Sequence, residues 1–324
     1  MTKNDHIERA LNRLSELRHA EPSDTATAEL REFLRHRSNL VVAKAAVVVR
    51  ELRIVALIPE LVVAFSKFMA DAPRLDKRCA GLTEITSTLY ELDYVEPEPY
   101  LAGIKHVQLE GSYGPPVDEA AKLRALSAQG LLRTGHAERL SEAVQLLADR
   151  EPAARMGAIR ALGVNGGEAG VLLLRLKVLT GDTEPAVMAE CFSALLAASP
   201  DKSVAFVANY IDADDEATAE AAMLALGESR LPAAYSVLKE KWNRSVLMPV
   251  KRVLLAAMAG LKLEEAIAFL ISLVESGDAK TAAAAVEALC IYRHNERVSE
   301  SVRSAALTRK EKAIVEEYRD RFGS

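Results

Sequence analysis

The sequence predicts an all-α chain, a solenoid of about eight stacked helical hairpins with an amphipathic capping helix at each end. Three observations carry this. A self-similar period of 31 to 33 residues runs through the middle of the chain, small side chains recur at helical spacing inside each period, and half of the residues are apolar although only 5% are aromatic. A period in that range is the signature of stacked supersecondary units. A balance carried by Ala, Leu and Val suits closely packed helices. At 324 residues the chain exceeds the size at which one core stops growing, and a quasi-one-dimensional stack resolves that difficulty.

The clearest period opens at Glu151 and reads E-P-A-A-R-M-G-A-I-R-A-L-G. Its leading acid recurs at Asp118, Glu184, Asp215 and Asp278, the last after a gap of two periods. The skipped period, Val250 to Ala259, keeps the apolar spacing and lacks the acid, while Pro249 matches Pro152 and Pro185. Ser38 and Asp76 start weaker copies upstream. An acid before a helix-starting residue places negative charge beside the free N–H groups of the first turn, so each of these positions should open the second helix of a hairpin.

Ala125 and Ala128, Ala158 and Ala161, Cys191 and Ala194, Ala222 and Ala225, and Ala285 and Ala288 then fall on one helical face, where small side chains let neighbours approach. Gly130, Gly163 and Gly227 are expected to end three of these helices. The first helices are expected over 137–148, 168–179, 200–211, 232–242 and 263–275, as the longer, Leu- and Val-rich members of each pair.

At the ends, Ile7, Leu11, Leu14 and Leu17 form one apolar stripe, and Ile314, Val315, Tyr318 and Phe322 another. Thr308 and Glu311 match a capping box ahead of the second stripe. The chain is therefore expected to be a single solenoid over 1–324. It comprises an N-terminal cap (1–24), degenerate repeats (25–92), a Tyr- and Pro-rich insertion (93–117), well-defined repeats (118–294) and a C-terminal hairpin with its cap (295–324).

The run Ala154, Arg155, Ala158, Ala161, Leu162, Gly163, and more weakly Val250, Lys251 and Met258, resembles the second helix of the HEAT-repeat superfamily, V-R-x-x-A-A-x-A-L-G. The resemblance covers residues 118 to 290 well and 25 to 92 poorly. It implies a right-handed, armadillo-like α-solenoid whose second helices line a concave surface, with repeats similar to those of the phycobilin lyase class. It specifies fold and not activity, since unrelated functions share such scaffolds.

Composition and motifs narrow the chemistry. Forty-one basic against 46 acidic residues give a net charge of -5, which argues against a protein that neutralises many phosphates. None of the six histidines is followed directly by a Glu, so the paired His-Glu irons of the deoxyhypusine hydroxylase type are not expected. Trp242 is the only tryptophan, too few for the aromatic-lined cleft of the alkylpurine DNA glycosylase type. Cys79, Cys191 and Cys290 are far apart and read as small core residues in a reducing cytoplasm. No apolar run is long enough to span a membrane. Neither metal nor cofactor is expected.

Two features remain as candidate partner-binding residues. Lys122, Arg124, Arg155 and Arg160 fall on adjacent second helices and are expected to form a local basic patch. Tyr94, Tyr100 and Tyr113 lie in the insertion, between prolines that stiffen it, where tyrosines can be displayed at low entropic cost. The function expected is a non-enzymatic scaffold for another protein or peptide. The alternatives are a HEAT-type enzyme of the lyase or glycosylase class, or a weak nucleic-acid binder.

Overall fold

Acidic residues ahead of alanine-rich runs start helices where the period places them. In the computed structural model, which describes residues 3–21, 23–111, 114–309 and 311–323, Glu151, Glu184, Asp215 and Asp278 each immediately precede a helix. Asp215 accepts the Thr218 amide at 2.9 Å, and Asp278 accepts the amides of Lys280 and Thr281 at 3.0 and 3.1 Å. These bonds satisfy N–H groups that no intrahelical acceptor reaches. Ser38 precedes a helix as well, and Asp76 lies just ahead of another.

The chain divides into two compact units, Met1–Leu173 and Leu174–Ser324. The first holds α1 (Lys3–Leu17), α2 (Asp24–Leu34), α3 (Asn39–Glu51), α4 (Ile58–Met69), α5 (Ala72–Leu75), α6 (Ala80–Glu91), α7 (Glu98–Ile104), α8 (Ala121–Thr134), α9 (Arg139–Leu147) and α10 (Pro152–Asn165). The division falls within α11 (Gly167–Thr180). The second unit continues with α12 (Pro185–Ala198), α13 (Pro200–Ala208), α14 (Glu216–Glu228), α15 (Pro232–Arg244), α16 (Met248–Gly260), α17 (Glu264–Ser276), α18 (Ala279–Leu289), α19 (Glu296–Arg309) and α20 (Lys312–Phe322).

Each unit is an all-α stack of hairpins. In the first, the second helices α3, α6, α8 and α10 pack successively on one another, with α2, α4, α7 and α9 against them. In the second, α12, α14, α16, α18 and α20 pack in succession, backed by α13, α15, α17 and α19. Ala128, Ala158, Ala161, Cys191, Ala222, Ala225, Ala285 and Ala288 are buried in these second-helix layers, as their spacing predicts, while Ala125 and Ala194 of the same column are half-buried.

The glycines act differently from the expectation. Gly130, Gly163 and Gly227 lie inside α8, α10 and α14. A Cβ on Gly130 would stand 2.2 Å from the Tyr100 ring, and one on Gly227 would stand 2.3 Å from the Ala257 carbonyl oxygen. At both positions the missing side chain admits a neighbour, whereas Gly135, at φ 73°, supplies the left-handed end of α8. The first helices are not uniformly longer either, since α9 and α13 have 9 residues and α10 and α12 have 14.

At the termini Leu14, Leu17 and Ile314 are buried, and Tyr318 stacks on Phe322 at 4.9 Å. The capping box does not form: Thr308 is still within α19, and Glu311 precedes α20 without a side-chain bond to it.

The insertion contains α7 and a two-stranded antiparallel hairpin, β1 (Leu109–Glu110) with β2 (Val117–Asp118). The hairpin lies outside the helical expectation and is tied down by Asp118, which accepts the amides of Gln108 and Ala120 at 3.1 and 3.0 Å.

Candidate interaction surface

Four residues beyond the one that precedes the helix, two second helices of the first unit carry arginine: Arg124 on α8 and Arg155 on α10. At that position the side chain points back over the preceding turn and meets the loop before the helix. Arg124 is 2% exposed and pairs with Asp118 at 2.8 Å and with both oxygens of Asp149 at 2.9 and 3.0 Å. It also donates to the His106 carbonyl at 2.9 Å. Arg155, likewise buried, donates to the carbonyls of Asp149 and Arg150 at 2.8 and 3.0 Å.

Burial alone would raise the Asp118 carboxyl. The Ala120 and Gln108 amides and the Arg124 guanidinium outweigh it and hold the group below its ordinary value.

The network continues to the start of α6. Asp76 is fully buried, accepts the Gly81 and Leu82 amides at 2.8 Å each, and receives the Asn39 amide group at 2.9 Å. Arg78 and Cys79 both have left-handed backbone, at φ 62° and 50°. Side-chain L-residues adopt that conformation only when surroundings dictate it. The Glu110 carboxylate accepting the Arg78 amide at 2.9 Å, and Gln108 donating to the Asp76 carbonyl at 2.9 Å, provide the clamp.

The sequence-predicted residues therefore separate. Arg124 and Arg155 hold loops, so the expected four-residue basic patch does not come together at the surface. The guanidinium fork satisfies paired carboxylates and carbonyls better than solvent does in a buried corner. Lys122 is exposed and lies 3.7 Å from Glu84, and Arg160 is exposed on α10.

Tyr100 is fully buried against Gly130, with its hydroxyl donating to the Tyr94 carbonyl at 3.0 Å, so it packs within the stack and is not displayed. Tyr94 is half-buried beside it, ring centroids 6.4 Å apart. Tyr113 lies outside the described residues.

The second unit presents a different surface. On α16 the position of the leading acid is Leu247, and Val246 and Leu247 are 84% and 68% exposed. Five residues beyond the residue that precedes each helix, Glu220 on α14 and Arg252 on α16 point to the same face. They stand on the walls of a cleft of about 470 Å³, whose floor includes Leu224, Val253, Ala256 and the 56% exposed Ile291. A second cleft, of about 600 Å³, lies between α16 and α18 beneath Arg252 and Lys280. A third, of about 350 Å³, lies between α14 and α16 and is lined by Glu216, Glu220 and Leu247.

The sequence signal for this face was the one period that lost its acid. Without a charge before α16, apolar residues occupy an exposed turn.

The helical pairs settle the architecture. The fold is HEAT-like. No family model matches the chain, and no curated protein matches it. Among solved structures, the chain is similar to the complex of CpcE and CpcF of phycocyanin lyase from Nostoc sp. PCC7120. There the TM-score is 0.37 and the identity 13%, over 76% of this chain and 93% of that one. It is also similar to an engineered protein, with TM-score 0.36 and identity 18% over 99% of this chain and 95% of that one. Both scores are low, and the fold assignment stands on the helix pairing itself.

Of the groups able to do covalent chemistry, two thiols are set against it. Burial pushes Cys79 up to about 12, helped by Asp76, and burial pushes Cys191 up to about 12. A reactive thiol needs the opposite shift. Cys79 donates instead to Gln108 Oε1 at 3.2 Å, and His106 Nε2 lies 3.0 Å from the same oxygen. Among the described residues no three His, Cys, Asp or Glu side chains gather as metal ligands, and no helix is long and apolar enough to cross a membrane.

Proposed function

We propose that the chain is a non-enzymatic scaffold that binds another protein or a peptide on the second-helix face of its C-terminal unit. One observation carries this: Leu247 and Ile291 are exposed on the linings of clefts with apolar floors and charged walls. Contiguous exposed apolar surface rimmed by polar groups marks interaction sites. Covering it recovers roughly 25 cal/mol per Å² of apolar area. The raised thiols of Cys79 and Cys191 favour binding over nucleophilic chemistry. A cytoplasmic setting follows from this reading and from three free cysteines.

The test is a photo-crosslinking amino acid placed at Ile291 in the native cell. Discrete protein adducts, lost when Leu247 is changed to Asp, are expected. Adducts unaffected by that change, or turnover of a small molecule by the purified chain, would refute the proposal.

A further inference from the structure

The charges on this face are sorted by side. On the α14 side of α16 stand Glu216 and Glu220; on the α18 side stand Arg252 and Lys280. None of these four side chains has an ion-pair or hydrogen-bond partner among the described residues.

The other charged groups nearby are already engaged. Asp212 is held by Lys241 and Arg244, Glu287 pairs with Arg321 at 2.9 Å, and Asp278 caps α18. Glu220 and Arg252 line one cleft without pairing, together with the apolar Leu224, Val253, Ala256 and Ile291.

 The walls are charged and the floor is apolar.

We infer that the occupant is an amphipathic segment of a partner protein with basic residues at one end, acidic residues at the other and apolar residues between. This rests on the scaffold reading and adds the chemistry of its partner. An all-apolar occupant would bury Arg252 and Glu220 without partners, and an unpaired buried charge costs more than the apolar contact returns. A uniformly acidic occupant would satisfy Arg252 and Lys280 but repel Glu216 and Glu220; a uniformly basic one would do the reverse. Only a segment with sorted charges meets both sides.

The spacing follows from the helices. Neighbouring axes lie about 8 to 10 Å apart, so Lys280 on α18 is about 20 Å from the α14 glutamates, a distance some six extended residues span, with Arg252 on α16 between them.

The test is selection of a phage-displayed library of random twelve-residue peptides on the full chain. Enriched peptides are expected to carry Lys or Arg at one end and Asp or Glu at the other, flanking about six mainly apolar residues. A synthetic copy should lose on the order of tenfold in affinity for the R252E/K280E variant. A copy whose acidic end is replaced by Lys should bind that variant better than it binds the unaltered chain, a gain that misfolding cannot produce.

Enriched peptides without charge sorting, or binding indifferent to R252E/K280E, would overturn the inference. If such binding were still lost in Leu247→Asp, the scaffold reading would stand alone; failure to enrich any peptide would count against both.

Discussion

The two units place cations on equivalent helices and use them in opposite ways. In the N-terminal unit Arg124 and Arg155, four residues beyond the residue that precedes α8 and α10, are buried and bind the loops that precede those helices. In the C-terminal unit the same position holds Met188, Ala219, Lys251 and Ala282, with Lys251 over the Trp242 ring at 5.0 Å. There the arginine comes one residue later, as Arg252, and faces a cleft. A shift of one residue turns a helix side chain by about 100°, enough to move a guanidinium from a loop to an open surface. At these positions the first unit uses its arginines to hold its own chain, and the second leaves Arg252 open on one face.

The sharpest way to break this comparison is to make the same change on both sides. Arg124→Met leaves Asp118 and Asp149 facing each other in a corner where their side chains are only 8% and 16% exposed. A loss of about 3 to 5 kcal/mol of unfolding free energy is expected, read by urea titration. Adding Asp118→Asn and Asp149→Asn should restore part of it, because the buried like charges are then gone. An Arg124→Met variant as stable as the parent would mean that the network does not hold the unit.

Close helix contact should be common to both units. A Cβ on Gly157 would stand 2.3 Å from the Ala125 Cα across α8 and α10, and one on Gly227 would stand 2.3 Å from the Ala257 oxygen across α14 and α16. In each case the obstacle is backbone, which cannot swing aside. Gly157→Ala and Gly227→Ala should each cost about 1 to 3 kcal/mol, and Ala158→Leu, at a fully buried position, a similar amount. An effect in one unit only would show that the two stacks are not packed alike.

These contrasts mark where the sequence could be read and where it could not. Helix starts were legible at Asp215 and Asp278, because a cap bonds to residues two or three positions away and its signal is local. The buried alanine column was legible for the same reason, since helical periodicity is a property of one segment.

Gly130 and Gly227 were misread. A glycine that ends a helix and one that admits a neighbour look alike until the neighbour, Tyr100 or Ala257, is known. Arg124 looked like a surface cation because its acceptors, Asp118 and Asp149, lie on either side of it in sequence, the second 25 residues away. Tyr100 looked available because the stack that covers it belongs to α8. The open face of the C-terminal unit was visible only as a missing acid before α16, and its charge sorting needed three helices at once.

The next prediction separates the units by pH. Asp118 has a carboxyl depressed below its ordinary value, so its contribution to stability is fully present above about pH 4. It is lost as the pH falls through the lower, folded value. Amide exchange at Gln108 and Ala120, whose N–H groups bond to Asp118, should therefore accelerate relative to the rest of the chain on acidification below about pH 4, after correction for intrinsic rates. Asp118→Asn should be less protected at neutral pH and should show no such acid step. Protection that is unchanged through that window would place the hairpin's anchor elsewhere.

The smallest expected effect is the most telling counterpart to Arg124. Arg252 is exposed and has no ion-pair partner among the described residues, so Arg252→Met removes a solvated charge and leaves no buried group unpaired. The expected change in unfolding free energy is within about 0.5 kcal/mol. The identical substitution at position 124 should exceed it several-fold, although both arginines sit near the start of a second helix in a stack of the same kind. Urea titration of the two variants side by side reads the difference directly. A large loss at Arg252 would show that it is held within its own unit, which would leave the acidic end of a partner segment nothing to bind; a negligible loss at both would remove the distinction between the two units.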